Sequence, residues 1–209
     1  MRIRENFNKK LLVEGNDDQH VIWAICERFK VYENFDVIDC EGITNLYEQL
    51  PIRFKQAQVD TIGIIIDADS EIKDRWKSIS SLLTLQGFSL PNEIPPEGLI
   101  LNDHSGIIIG VWLMPNNNEN GMLEDFISFL VPNEDNILPI VIDTLTRIEG
   151  KGLNRYSLTH KSKATIHSWL SLQEDPGTPM GLSITKRYLS TDNETCLKLV
   201  NWLNELYKQ

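Results

Sequence analysis

The chain has 209 residues, 41% of them hydrophobic and 24% charged, which is the composition of an ordinary globular protein long enough for one sizeable α/β domain. Its formal net charge of -10 argues against a protein that binds nucleic acid through basic charge alone. It has no apolar signal region at its start, no run with the length of a membrane span, and three scattered cysteines without a zinc or disulfide spacing, so we expect a cytoplasmic protein that does not enter a membrane.

The first half of the chain alternates short apolar strands with amphipathic helices. The predicted strands are 10–13, 35–40, 61–66, 99–101 and 106–114, and the predicted helices are 20–29, 43–58 and 72–86. Pro51 marks a kink or a break in the second helix. The β-branched run at 61–66 suits a central parallel strand that is covered on both faces. This alternation predicts an α/β fold with a mainly parallel central sheet flanked by helices.

The second half of the chain is mainly helical. Helices are predicted at 122–130, 134–148, 161–172 and 193–207. No repeat, low-complexity tract or convincing linker interrupts the pattern. We therefore expect residues 1–209 to form a single domain. The five tryptophans fall in helical or strand patterns, and we expect them in the core rather than stacked on bases.

Acidic residues follow three of the predicted strands: Glu14 with Asp18, Asp67 with Asp69, and, after a longer loop, Glu124 with Asp125. If those strands are parallel neighbours, their carboxyl ends lie side by side at the edge where open α/β sheets bind ligands. Crowded carboxylates repel each other without cations, and oxygen-only ligands select hard ions such as Mg²⁺ or Mn²⁺. Two such ions would clamp the attacking and leaving oxygens of a phosphodiester.

Each acidic group also has a simpler interpretation: Glu14 as a solvated turn residue, and the other groups as helix caps or as partners of a helix dipole. The candidate caps are Asn16 or Asp17 and Asp69 or Ser70, and the candidate dipole partners are Glu124 and Asp125. The coincidence of three acidic groups at strand ends favours a shared site. The chain carries neither a Walker-type phosphate loop nor a dinucleotide-binding glycine pattern, so ATP or dinucleotide binding is not expected.

Basic residues concentrate in one segment. Residues 151–190 contain six basic and two acidic residues, a net charge of +4, which leaves -14 for the remainder of the chain. This segment either helps bind a polyanion together with metal ions or is only less acidic than its surroundings. The candidate nucleic-acid-binding residues are Lys151, Arg155, His160, Lys186 and Arg187. For His160, a place in a solvated basic turn is the favoured explanation, and a phosphate contact is the alternative.

Two lysines stand at the start of a predicted helix, where their charge gains nothing from the helix dipole. Lys161 or Lys163 is therefore a candidate to stabilise charge that develops on a phosphoryl group. The alternative is that both are ordinary exposed lysines.

Two of these motifs resemble a known family. The run LLVEG at 11–15 with Asp18, followed by IIIDAD at 64–69, is similar to the Toprim domain of topoisomerases, primases, recombination proteins and several nucleases. The spacing of Glu14 to Asp18 and the later LED at 123–125 resemble the nuclease branch typified by the overcoming-lysogenization-defect (OLD) proteins. The resemblance implies a Toprim-like Rossmannoid core over about 9–130 and a mainly helical C-terminal extension over about 131–209.

The resemblance also implies a function, the metal-dependent hydrolysis of phosphodiester bonds in nucleic acid, with DNA favoured. It implies one or two Mg²⁺ or Mn²⁺ ions bound by the carboxylates, and catalytic roles for a glutamate and a lysine. The implied metal ligands are Glu14, Asp18, Asp67, Asp69 and Glu124, and the implied catalytic residues are Glu14 and Lys163 or Lys161.

Departures from the family keep other functions open. The chain carries no ATPase domain, so a separate ATPase partner or a homo-oligomer is an open expectation. The sequence DADS at 67–70 lacks the proline and glycine that usually follow the first aspartate in small Toprim-type ribonucleases, which makes a ribonuclease the second interpretation. A non-enzymatic metal-binding module in regulation or defence is the third, because the chain is acidic and has no attached DNA-binding domain.

Overall fold

A computed structural model describes residues 5–102 and 106–208, so residues 1–4, 103–105 and 209 of the expected single domain lie outside the described part. The strands are β1 (Lys9–Val13), β2 (Phe35–Asp39), β3 (Thr61–Asp67), β4 (Leu99–Asn102) and β5 (Ile108–Met114). They form one sheet in the order β2-β1-β3-β5-β4, in which only β4 runs antiparallel to its neighbour. The mainly parallel, Rossmann-like α/β fold predicted from the sequence is therefore confirmed.

The helices account for most of the rest of the described chain. They are α1 (Asn16–Phe29), α2 (Ile43–Phe54), α3 (Ile72–Leu85), α4 (Leu123–Leu130), α5 (Ile137–Gly150), α6 (Lys161–Leu170), α7 (Met180–Thr185) and α8 (Glu194–Leu206), with a short 3₁₀ turn at Leu158–His160. No helix in the described ranges is both long and apolar enough to cross a bilayer.

Three features of the helices differ from the prediction. Helix α1 begins at Asn16 instead of His20, because the first polar turn is helical as well. Helix α2 continues through Pro51 and ends at Phe54. The six-residue helix α7 follows the turn-rich segment 175–179 and was not predicted, because it is too short to show a helical period.

The central strands are buried on both faces, which explains their continuous apolar runs. On one face, Leu11 and Ile65 belong to a hydrophobic cluster that includes residues of α1 and α4–α8. On the other face, Leu12 and Ile64 belong to a second cluster with residues of α2 and α3. Successive strand residues point to opposite faces, so one apolar run supplies both clusters.

The C-terminal part packs directly on the sheet. The Tyr207 ring stacks on Phe35 at 3.8 Å between centroids, and its hydroxyl donates a hydrogen bond of 2.9 Å to the Lys10 carbonyl. The Trp202 indole donates to the Leu99 carbonyl at 3.0 Å. A methyl group at Gly63 would lie 2.3 Å from the Tyr207 hydroxyl, which shows how closely the chain approaches β3. Residues 131–208 therefore share a core with the sheet.

The expected burial of the tryptophans is confirmed. Trp76, Trp112, Trp169 and Trp202 are at most 5% exposed. Trp23, on α1, is half-buried and packs against the hydrophobic cluster that also contains residues of α8. None of the four fully packed indoles offers a free ring face to a nucleobase.

Candidate metal centre

The sheet order brings the predicted acidic groups together. Strands β1, β3 and β5 are adjacent and parallel, so their carboxyl ends lie side by side. Glu14 follows the last residue of β1, and Asp67 is the last residue of β3. Glu124 is the second residue of α4, which follows β5 after a loop. The predicted proximity of the strand ends is confirmed, and we define Glu14, Asp18, Asp67, Asp69 and Glu124 as the carboxylate cluster.

Glu14 connects β1 to β3. Its Oε1 accepts a hydrogen bond of 2.8 Å from the backbone N–H of Asp67. Burial raises the pKa of Glu14, the Asp67 amide and the Arg75 guanidinium counteract this, and the Asp69 carboxylate adds to the increase. The net pKa is raised, so Glu14 holds a proton more readily than an ordinary glutamate does.

Asp18 is the most unusual member of the carboxylate cluster. It is 7% exposed, and its Oδ2 accepts a hydrogen bond of 3.2 Å from the N–H of Gly15. Its Oδ1 is buried and has no hydrogen-bond partner within the described ranges. Burial, followed by repulsion from Glu14 and from Glu124, raises the pKa of Asp18 to about 7. A buried oxygen without a partner is costly, and here it belongs to a carboxylate facing other carboxylates.

The contact between Asp18 and Gly15 also corrects the capping prediction. The N-cap of α1 is Gly15, and no side chain caps it. Asn16 and Asp17 are exposed residues of the first turn. Asp18 takes the position three residues after the cap, from which its carboxylate reaches back to the cap N–H. The sequence therefore predicted an acidic side chain at the start of α1 correctly but assigned the contact to Asn16 or Asp17 instead of Asp18.

Asp67 joins β3 to the start of α4. Its Oδ1 accepts a hydrogen bond of 2.9 Å from the backbone N–H of Leu123, the first residue of that helix. Burial raises the pKa of Asp67 well above its ordinary value, and the Asp18, Glu14 and Glu124 carboxylates raise it further. This hydrogen bond keeps Glu124, the next residue of α4, beside the end of β3.

The position of Asp69 is fixed by its backbone conformation and by its backbone hydrogen bonds. It has a left-handed φ of 54°, and it exchanges two backbone hydrogen bonds of 2.8 Å with Gly121. Its half-exposed carboxylate pairs with Arg75. Neither Asp69 nor Ser70 caps α3, because the first N–H of that helix, at Ile72, donates to the Asn120 side chain at 2.9 Å. The capping interpretation of the D-x-D pair is therefore wrong.

Glu124 and Asp125 have separate roles. Glu124 is 3% exposed, and its Oε1 lies 3.2 Å from Lys163 Nζ and 4.0 Å from His167 Nε2. Asp125 accepts a hydrogen bond of 2.9 Å from the N–H of Met122 and a second from the Ser162 hydroxyl. The helix-start interpretation therefore describes Asp125, whereas Glu124 faces the carboxylate cluster and a lysine.

The structure separates the two candidate lysines. Lys161 pairs with Glu149 at 2.7 Å, and Glu149 also accepts a hydrogen bond from Tyr156. Lys163 is half-exposed and contacts Glu124. Burial lowers the pKa of Lys163, but Glu124 and weaker acidic neighbours together raise it by more, so the net pKa is raised and the lysine is charged at neutral pH.

The candidate nucleic-acid-binding residues lie on different elements. Lys151 and Arg155 follow α5, His160 precedes α6, and Lys186 and Arg187 follow α7; all are exposed. Lys186 pairs with Asp175. The others form no ion pair with an acid in the described ranges.

Sequence reasoning missed three residues at the carboxylate cluster. One is His167 on α6, 4.0 Å from Glu124, and the others are Arg75 and Tyr47. Arg75, in the first turn of α3, pairs with Asp69, and its Nη1 lies 3.3 Å from the Tyr47 hydroxyl on α2. A signal for Arg75 was present. Arg75, like Lys163, is a cation at the start of a helix, where the helix dipole does not favour positive charge. Tyr47 offered no signal, because only the packing of α2 beside α3 brings it close.

The carboxylate cluster is crowded, but its oxygens do not form a complete metal-coordination site. Within residues 5–102 and 106–208, no three Asp, Glu, His or Cys side chains converge at metal-ligand distances. Three of the carboxylates, Glu14, Asp18 and Asp67, accept backbone N–H groups, and the other two pair with cations. Side-chain rotation is therefore needed before three oxygens can meet at one point.

One comparison with known proteins finds a match. The model of a family described as "Protein of unknown function (DUF3226)" matches residues 8–208, a range that includes every strand and helix described above. No curated protein and no solved structure matches the chain.

Proposed function

Because the chain belongs to the DUF3226 family, whose description states no function, we propose from the chemistry of the site that the protein is a metal-dependent phosphodiesterase acting on nucleic acid, with DNA as the favoured substrate. The observation that carries this proposal is the carboxylate cluster at the carboxyl edge of the sheet. It includes a buried carboxylate oxygen, Asp18 Oδ1, that has no partner within the described ranges.

The residues present fit a hard divalent cation. All donors of the carboxylate cluster are oxygens, the set that Mg²⁺ and Mn²⁺ prefer. A cation would give Asp18 Oδ1 the partner that it lacks and would relieve the repulsion that raises the pKa of Asp18 and of Asp67. Glu14, Asp18, Asp67, Asp69 and Glu124 would bind one or two ions. When bound, such ions polarise a phosphoryl oxygen and make water more acidic.

The protein side chains supply the remaining chemistry. In hydrolysis a water oxygen bonds to phosphorus, the P–O bond to the leaving nucleoside breaks, and the leaving oxygen takes a proton from solvent. The water proton passes to Glu14 Oε2, because Oε1 accepts the Asp67 N–H and the raised pKa favours protonation. Lys163, beside Glu124, places a positive charge where negative charge grows on the phosphoryl oxygens.

Overall charge supports a metal-assisted approach to a polyanion. With a net charge of -10, the protein has no general attraction for nucleic acid. The +4 segment at 151–190 contributes the exposed side chains of Lys151, Arg155, His160 and Arg187. In this proposal, these side chains contact the phosphate backbone of the nucleic acid on either side of the cleaved bond. A reducing compartment such as the cytoplasm is part of the proposal, because Cys26, Cys40 and Cys196 are buried free thiols.

A nicking assay tests the proposal. Wild-type protein is incubated with supercoiled plasmid and Mn²⁺, beside Glu14→Gln and Asp67→Ala variants. An Asp17→Asn variant is the matched control, because Asp17 is an exposed acid outside the carboxylate cluster. We expect the first two variants to lose about 100-fold or more of the activity and the control to keep it. Equal nicking by Asp67→Ala protein would mean contamination and would sink the assignment.

One observation favours a second candidate, a non-enzymatic metal-binding module in regulation or defence. Arg75 and Lys163 already neutralise Asp69 and Glu124, so the protein has internal partners for two of its carboxylates. Calorimetry with Mg²⁺ and Mn²⁺, run beside the nicking assay, separates the candidates. Metal binding without cleavage of any DNA or RNA would favour the module, and cleavage confined to RNA would favour the ribonuclease.

A further inference from the structure

We infer that Arg75 is a second phosphate-binding residue of this site and that the Tyr47 hydroxyl positions its guanidinium. The inference rests on the proposed function and deepens it, because it states which side chains grip the phosphodiester. Its source is the placement of two cations on opposite sides of the carboxylate cluster.

The two cations approach the sheet edge from different faces. Lys163 belongs to α6, which packs with α4 in the cluster on one face. Arg75 belongs to α3, which packs with α2 on the other face. Lys163 contacts Glu124, and Arg75 contacts Asp69. A phosphate at the carboxylate cluster would therefore have a positive group on either side.

Arg75 is held more firmly than a surface arginine. Its side chain is 14% exposed, against 52% for Lys163. The Tyr47 hydroxyl lies 3.3 Å from Nη1, while Nη2 faces Asp69. Its charge also lowers the pKa of Glu14. An arginine fixed at one nitrogen keeps other N–H donors for a phosphate, which it can bind in a bidentate manner.

The Asp69 carboxylate connects cation binding to phosphate binding. Asp69 is 50% exposed and occupies one end of the Arg75 fork. When Asp69 ligates a divalent cation, it no longer neutralises the guanidinium, which then pairs with a phosphate oxygen. The same reasoning applies to Glu124 and Lys163 on the other side. In this arrangement, Arg75 competes with the cation for Asp69 in the free protein and binds substrate in the complex.

The test uses Arg75→Gln, with Lys77→Gln as the matched control, because Lys77 is an exposed cation on the same helix. Binding of a fluorescent phosphorothioate DNA duplex is measured in Ca²⁺ over a series of salt concentrations. We expect Arg75→Gln to weaken DNA binding by about 10-fold and to reduce the slope of log affinity against log salt by about 1. We expect Lys77→Gln to change neither quantity.

Two further readouts separate substrate binding from a structural role. Mn²⁺ affinity, measured by calorimetry, should be unchanged or tighter in Arg75→Gln, because a competitor for Asp69 has been removed. Arg75→Lys should keep the salt slope but lose part of the affinity, since it keeps the charge and loses the fork. Tyr47→Phe should raise KM and leave kcat nearly unchanged. Circular dichroism checks that each variant is folded.

Several results would overturn the inference. Wild-type affinity and slope in Arg75→Gln would show that Arg75 does not contact phosphate, and the proposed function would survive. Joint loss of Mn²⁺ and DNA binding in Arg75→Gln would show that Arg75 only maintains the carboxylate cluster. A wild-type protein that binds Mn²⁺ but no nucleic acid would overturn both the inference and the proposed function.

Discussion

The replacement of Asp18 by asparagine gives the sharpest test of the crowded carboxylates. The amide keeps an oxygen that can accept the Gly15 N–H, as Asp18 Oδ2 does at 3.2 Å. Its NH₂ group would replace Oδ1, the buried oxygen that lacks a partner within the described ranges, and would face carboxylates with donors. We therefore expect Asp18→Asn to stabilise the metal-free protein, which is unusual for a substitution at a buried position.

The magnitude and the pH range follow from the pKa. The pKa of Asp18 rises from an ordinary value of 3.8 to about 7 in the folded protein. Below pH 4 Asp18 is protonated in both the folded and the unfolded state, so burying it carries no cost of ionisation. As the pH rises from about 4 to about 7, only the unfolded state releases its proton, and stability falls by up to about 4 kcal/mol. Above pH 7 the cost is complete.

Thermal unfolding in EDTA is a suitable assay. At pH 8 we expect Asp18→Asn to raise Tm by up to about 8–16 °C over wild type, because 1 kcal/mol shifts the Tm of a chain of this length by about 2–4 °C; at pH 4 we expect no difference. Added Mn²⁺ should raise the Tm of wild type and narrow the gap, because the variant has lost a ligand. Asp17→Asn is the control and should leave Tm nearly unchanged. A less stable Asp18→Asn at pH 8, or a gap independent of pH, would refute the reasoning.

Two further substitutions test other contacts. Lys163→Gln removes the ammonium group 3.2 Å from the buried Glu124 carboxylate, so it should lower the free energy of unfolding by about 1–2 kcal/mol. Lys161→Gln removes the partner of Glu149 and should have a smaller effect. Urea unfolding of the two variants compares them. Equal effects would contradict the assignment of Lys163 to the carboxylate cluster. Gly63→Ala would bring a methyl group to 2.3 Å from a tyrosine hydroxyl and should cost about 1–3 kcal/mol, whereas a methyl group at Gly150 meets nothing within 4 Å. Chemical unfolding that places Gly63→Ala level with Gly150→Ala would show that the sheet and the C-terminal helix can separate freely.

Local sequence was sufficient for most elements because their apolar periods are clear. The run at 61–66 predicted a central strand, and β3 is buried on both faces. The period of α8 predicted a helix at 193–207, and the observed bounds are Glu194–Leu206. A single polar turn, or a helix of six residues, is too short to show such a period. The start of α1 and the whole of α7 were therefore missed.

The candidate site was only partly visible in the sequence. Acidic residues at the ends of apolar strands predicted Glu14, Asp67 and Glu124 as neighbours, because parallel strands end at one edge. The choice between the two lysines needed the packing of α6 beside α4, which turns Lys163 toward Glu124 and leaves Lys161 with Glu149. Sequence distance carries no information about that rotation.

The sequence by itself determined that Glu14 stands at the end of a buried strand and before a helix, and that other acids occupy equivalent places. Only the tertiary structure decided that Asp18, and not Asp17, reaches back to Gly15 and leaves a buried oxygen without a partner in the described ranges. Only the tertiary structure brought Arg75 from the opposite face to the same edge. The physical reason is that strand ends are fixed by periodicity along the chain, whereas burial, repulsion and ion pairing depend on which elements pack together.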